Sequence, residues 1–102
     1  MKRLNYISYK GGIIMNEISL EIVKILERGE CPMGHKVGDK FKYPDDVGKI
    51  CQFAYNSIYP SIRTLRFDGS FPWSEDKDTT MLCCPDPNNP VVFKITRTKI
   101  DW

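Results

Sequence analysis

Residues 82–93 read LCCPDPNNPVVF. Three prolines within six residues cannot lie inside a sheet, because proline has no N–H to give to a ladder. The tract 85–90 is therefore a stiff connection, in which Asp86 and Asn88 can bond backbone groups locally. The flanking stretches TTMLCC and VVFKITRT are rich in β-branched and apolar residues. In the second, Val91, Phe93 and Ile95 share one face while Val92, Lys94 and Thr96 share the other. The spacing predicts a hairpin. The same alternation sends Cys83 and Cys84 to opposite faces, and Pro85 favours an extended Cys84.

The stretch EISLEIVKILERGE fits two periods. Ile18, Ile22 and Ile25 suit a helical stripe, whereas Ile18, Leu20 and Ile22 suit strand alternation; its β-branched content and Gly29 favour a strand. CPMGHKVGDKFKYP reads as a turn and a short strand, with Val37, Asp39, Phe41 and Tyr43 on one face. Asp45-Asp46 then resemble an N-cap for a helix from about Val47 to Tyr59, with Cys51, Ala54, Tyr55 and Ile58 on its apolar side. Pro60 breaks that helix and opens a second short one, PSIRTLRF, so that Ile58, Ile62 and Leu65 continue the stripe across a kink. DGSFPWSEDKDT is a loop. The order strand-strand-helix-strand-strand predicts an α+β domain: a small, mainly antiparallel sheet with one kinked helix packed on it. Burial is modest for that size, which predicts a homo-oligomer.

With 102 residues, the chain is long enough for one domain. No apolar run approaches the roughly 18 residues of a membrane span, and the N-terminus lacks the apolar core of a signal peptide. A cytoplasmic location follows, with no membrane partner. Residues 1–14 raise a separate expectation. Lys10-Gly11-Gly12 back-translates to a ribosome-binding site, two isoleucine codons before the ATG of Met15. They therefore read as a translated leader or a disordered tail, with the domain over 15–102. The net charge is +2, and those fourteen residues hold Lys2, Arg3 and Lys10 but no acid, which leaves the remainder at −1. Its basic residues are scattered among acids, so nucleic-acid binding is not expected.

Cys31, His35, Cys51, Cys83 and Cys84 make up the soft-ligand set. Cysteines in a reducing compartment point to thiols, metal ligands or catalysis more than to disulfides. Cys31, His35, Cys83 and Cys84 are candidate ligands for zinc or iron, although no C-x-x-C knuckle is present. Cys83 or Cys84 is alternatively a reactive thiol beside His35, with Cys31 or Cys51 as a resolving partner. Against both stands simple core packing, since cysteine behaves as a small apolar residue and His35 can serve only to bond the backbone. Arg66, Phe71, Trp73, Asp86 and Asn89 form a further candidate set, an aromatic and polar rim for a small anionic ligand or a protein surface. Trp73 beside Pro72 reads equally as a cap over the core edge.

Taken in order, CPMGHKVGDKF, ICQFAYNSIYPSIRTLRF, GSFPWS and CCPDPNNPVVFKITR resemble the TIGR04076 family of small bacterial and archaeal proteins. The resemblance runs from about Ile18 to Arg97 and implies a strand over 18–27. Many members read Cys-Cys-Thr-Asp-Gly and Cys-Pro-Val-Phe where this chain has Cys83 to Pro87 and Cys31 to Gly34, so His35 is a subgroup feature. The family has no established activity. The reading is therefore a small protein with a cysteine-centred site, thiol redox or metal, whose small-molecule ligand is unknown. The alternative is a non-catalytic oligomeric binding or assembly module with its cysteines in the core.

Overall fold

A computed structural model describes residues 15–99; the expected leader, residues 1–14, lies outside them. The described residues form strands β1 (Glu17–Ile25), β2 (Lys40–Tyr43), β3 (Thr79–Cys83) and β4 (Val91–Thr98), and a helix α1 (Gln52–Arg66). A 3-10 turn, Val47–Lys49, precedes α1. All neighbouring strands are antiparallel and lie in the order β2-β1-β4-β3. This is the expected α+β class, with the two longest strands in the centre.

Alternation determines which side chains reach the core. Ile18, Leu20 and Ile22 of β1 and Val91, Phe93 and Ile95 of β4 are buried on one face. Ala54, Ile58, Ile62 and Leu65 of α1 cover them. Each such large apolar side chain contributes about 1.5–3 kcal/mol relative to exposure. The opposite sheet face carries Ser19, Glu21, Lys42, Lys94 and Thr98 and has no layer over it among the described residues.

The two periods of β1 have a structural cause. Ile22 pairs with Phe93 and Lys24 with Val92, so Val23 is an extra residue, a β-bulge. The bulge adds one to the spacing between Ile22 and Ile25, and both side chains still pack toward the core. Strand alternation interrupted by one residue thus imitates a helical stripe.

The helix differs from expectation at both ends. Val47–Lys49 is a separate 3-10 turn, Ile50 is extended, and α1 begins only at Gln52. Neither aspartate caps it: an Asp46 Oδ2 accepts the Lys42 N–H at 2.8 Å. At the other end α1 runs unbroken through Pro60, so there is no second helix. The hydrogen bond that proline forfeits is the one to the Asn56 carbonyl. Asn56 and Pro60 are both exposed, so water can take that carbonyl and the interruption is cheap. Val37 is also corrected: it is 60% exposed and precedes β2, which presents only Phe41 and Tyr43 inward.

The next inward position on β4 after Ile95 is Arg97, which is buried. Its Nε is 2.9 Å from an Asp78 carboxylate oxygen, and its Nη2 donates to the Lys77 carbonyl at 2.8 Å. Nη1 donates to the carbonyls of Leu65 and Gly69. One guanidinium therefore ties the end of α1 and the loop 67–78 to the sheet. Asn16, also buried, adds a bond from Nδ2 to the Leu65 carbonyl at 2.9 Å.

Candidate functional site

Three segments remote in sequence meet beside the N-terminus of α1. The first is the turn 31–34, closed by the Gly34 N–H to the Cys31 carbonyl at 2.9 Å. Gly34 has φ +91°, a conformation glycine adopts without a Cβ clash. The second is Cys51, the cap position just before α1, whose carbonyl accepts the Tyr55 N–H at 2.9 Å. The third is Cys84, just past β3, where the stiff loop 85–90 begins.

These segments enclose a cavity of about 470 Å3, lined by Cys31, Cys51 and Cys84 together with His35, Met33, Phe53, Ala54, Val91 and Asp86. Alternation places the two adjacent cysteines as the sequence requires. Cys83 is exposed and pairs with Val92 on the open sheet face, whereas Cys84 is half-buried against the core. The candidate set is thus divided: Cys31, His35 and Cys84 come together, Cys51 joins them, and Cys83 stands apart. Among the described residues, no three His, Cys, Asp or Glu side chains are placed to hold a metal ion. The set Cys31, His35, Cys83 and Cys84 is therefore not assembled for zinc or iron.

The sulfur of Cys84 is held on two sides. It accepts the Val91 N–H at 3.3 Å and lies 3.8 Å from the Asn89 carbonyl, toward which its S–H points. The Cys84 N–H in turn donates to the Val91 carbonyl at 3.0 Å. Cys84 and Val91 thus close the loop, with the thiol doing part of the backbone's work. The loop is fixed further where Asp86 Oδ1 accepts the Asn88 N–H at 2.9 Å. Leu26 N–H donates to the Pro90 carbonyl at 2.9 Å, and Asn89 Oδ1 accepts the Glu30 N–H at 3.4 Å.

His35 has a different task from the expected one. Its Nε2 accepts the Cys51 N–H at 3.0 Å, which requires that nitrogen to be without a proton. Nδ1 faces Asp39 Oδ2 at 3.9 Å, and the ring stands edge-on to Phe41 and Phe93. The nitrogen nearest the helix start is therefore already engaged. His35 supports the first turn of α1, and it does not stand free to take a proton from Cys84.

The aromatic and polar rim is not one surface. Phe71 and Trp73 stack on each other with centroids 5.0 Å apart, away from the cavity lining. Trp73 is 70% exposed, so it is no cap over the core. Arg66 is buried with its guanidinium 5.2 Å above the Tyr43 ring. Asn89 is buried in its loop role, and of this set only Asp86 reaches the cavity. Phe53 and Met33 were absent from the sequence-based site. The signal at Phe53 is an apolar side chain on the polar side of α1, whereas Met33 lies in a turn with no periodicity to mark it.

No helix among the described residues is long and apolar enough to cross a membrane. No family model, no curated protein and no solved structure matches the chain.

Proposed function

We propose that the cavity is a thiol site in which Cys84 is the reacting group and Cys31 or Cys51 its resolving partner. One observation carries this reading: three cysteines from three separate segments line a single cavity, while the fourth faces solvent on the other side of the sheet. Toward a small disulfide, the Cys84 thiolate attacks one sulfur and releases the other as a thiolate. The resolving cysteine then attacks the mixed disulfide, releases the second thiolate and leaves a protein disulfide. Two protein thiols are oxidised and one disulfide is reduced to two thiols.

The test is incubation with the small neutral disulfide 4,4′-dithiodipyridine, followed by fragmentation mass spectrometry of the modified peptides. A mixed disulfide at Cys84, or a bridge from Cys84 to Cys31 or Cys51, is expected. Modification of Cys83 alone would remove the thiol site and leave a binding module whose cysteines are packing.

Kinship with the TIGR04076 family, a cytoplasmic location and homo-oligomerisation belong to the same proposal. The oligomer is supported by the sheet face that no described residues layer over, where Met81 is 61% exposed. Light scattering of the purified protein tests it, and a mass of one chain would reject it.

A further inference from the structure

We infer that the molecule admitted to this cavity is uncharged and largely apolar, about the size of one or two aromatic rings. The inference deepens the thiol reading and rests on it only for Cys84 as the group that the molecule meets. The walls include Met33, Phe53, Ala54, Val91 and the three cysteines, and among the described residues no lysine or arginine lines them. An anion would leave water with no cationic side chain among the described lining residues to pair with it. Asp86 is the one acid among the described lining residues, and its Oδ1 already accepts the Asn88 N–H. His35 offers no free acceptor at Nε2, because that atom holds the Cys51 N–H.

Size and shape agree with this chemistry. A volume of about 470 Å3 falls within the range of roughly 300–1,000 Å3 usual for small-molecule sites. Two of the lining side chains are among the most exposed apolar residues described, Phe53 at 74% and Met33 at 67%. They come from different segments, Phe53 from the first turn of α1 and Met33 from the turn 31–34. An apolar guest would cover both, and the flexible thioether of Met33 can adapt to its outline.

Cys83 supplies the internal control, because its thiol shares the chain but not the cavity. Alkylation rates are measured with N-phenylmaleimide, which is neutral, and with N-(4-carboxyphenyl)maleimide, its anionic match. Cys84 is read in Cys83→Ser and Cys83 in Cys84→Ser. The neutral-to-anionic rate ratio is expected to be at least tenfold higher at Cys84 than at Cys83. Equal ratios would overturn the inference while leaving a reactive Cys84 intact. Should Cys84 react with neither reagent, the thiol reading falls, and the neutral fluorophore prodan decides the ligand class. One-to-one saturable prodan binding, weakened at least tenfold by Phe53→Asp, would sustain it; no saturable binding would overturn it.

Discussion

Replacing His35 separates a scaffold role from a catalytic one. In His35→Ala, the Cys51 N–H loses its 3.0 Å acceptor at a partly buried position, a cost of about 1–3 kcal/mol. The ring, whose side chain is only 10% exposed, also leaves the edges of Phe41 and Phe93. Such aromatic contacts are worth about 0.5–1.5 kcal/mol each beyond area. The expected total is about 2–4 kcal/mol, partly offset by relaxation around the vacated space. In urea, followed by far-ultraviolet circular dichroism, a slope of about 1.3 kcal/mol/M turns that into a midpoint fall of about 1.5–3 M. Glutamine can place an amide oxygen close to where Nε2 sits, so His35→Gln should recover about half of the loss. It should also leave the alkylation rate of Cys84 within a factor of two of the parent. Two results would refute the reasoning. Equal destabilisation by alanine and glutamine would show that the acceptor is irrelevant. A tenfold drop in Cys84 reactivity in the glutamine variant would show that the imidazole acts on the thiol.

Further outcomes follow from the polar ties at the opposite end of the molecule. Arg97→Ala should cost about 2–4 kcal/mol by urea unfolding, because several carbonyls lose their donor. Arg97→Lys should recover little of that, since an ammonium cannot reach the Asp78, Lys77, Leu65 and Gly69 acceptors at once; full recovery would contradict the network. Gly69→Ala should cost about 1–3 kcal/mol, because a Cβ there would lie 2.9 Å from the Thr64 carbonyl oxygen and 2.8 Å from its Cγ2. Thr64→Ser in the same chain should restore only part of it, because the carbonyl remains. Tyr43 is held protonated up to about 12 by burial first and then by the neighbouring Tyr55 and Tyr59 phenols. Absorbance at 295 nm should therefore show one late-titrating tyrosine that disappears in Tyr43→Phe. The sign follows: a raised phenol contributes stability in full below its unfolded value of about 10, lost as pH rises from about 10 toward about 12.

The sheet was legible because alternation is a local property. Ile18, Leu20 and Ile22, like Val91, Phe93 and Ile95, reveal their face within a few residues, and three prolines mark the connection at 85–90. The opposite faces of Cys83 and Cys84 followed from the same rule. The start of α1 was not legible, because Asp45-Asp46 imitate a cap while Asp46 bonds back to Lys42. Nor was the passage through Pro60, which depends on whether Asn56 faces water. Arg97 sits in a strand where alternation predicts an apolar residue, and its partners come from four other positions far along the chain. The cavity was half legible: the cysteines and His35 could be listed as chemistry, but which of them share a space depends on where three loops close. The role of His35 turned on one backbone N–H that no sequence pattern marks.

The bulge in β1 bears on how this chain should be set beside others. Without Val23, the strand would read Ile18, Ser19, Leu20, Glu21, Ile22, Lys24, Ile25, an unbroken alternation of inward and outward residues against β4. A homologue one residue shorter in this region would keep every remaining side chain on its present side. The gap in such an alignment belongs at position 23 and not in the turn that follows, where shortening would displace Cys31 from the other two thiols.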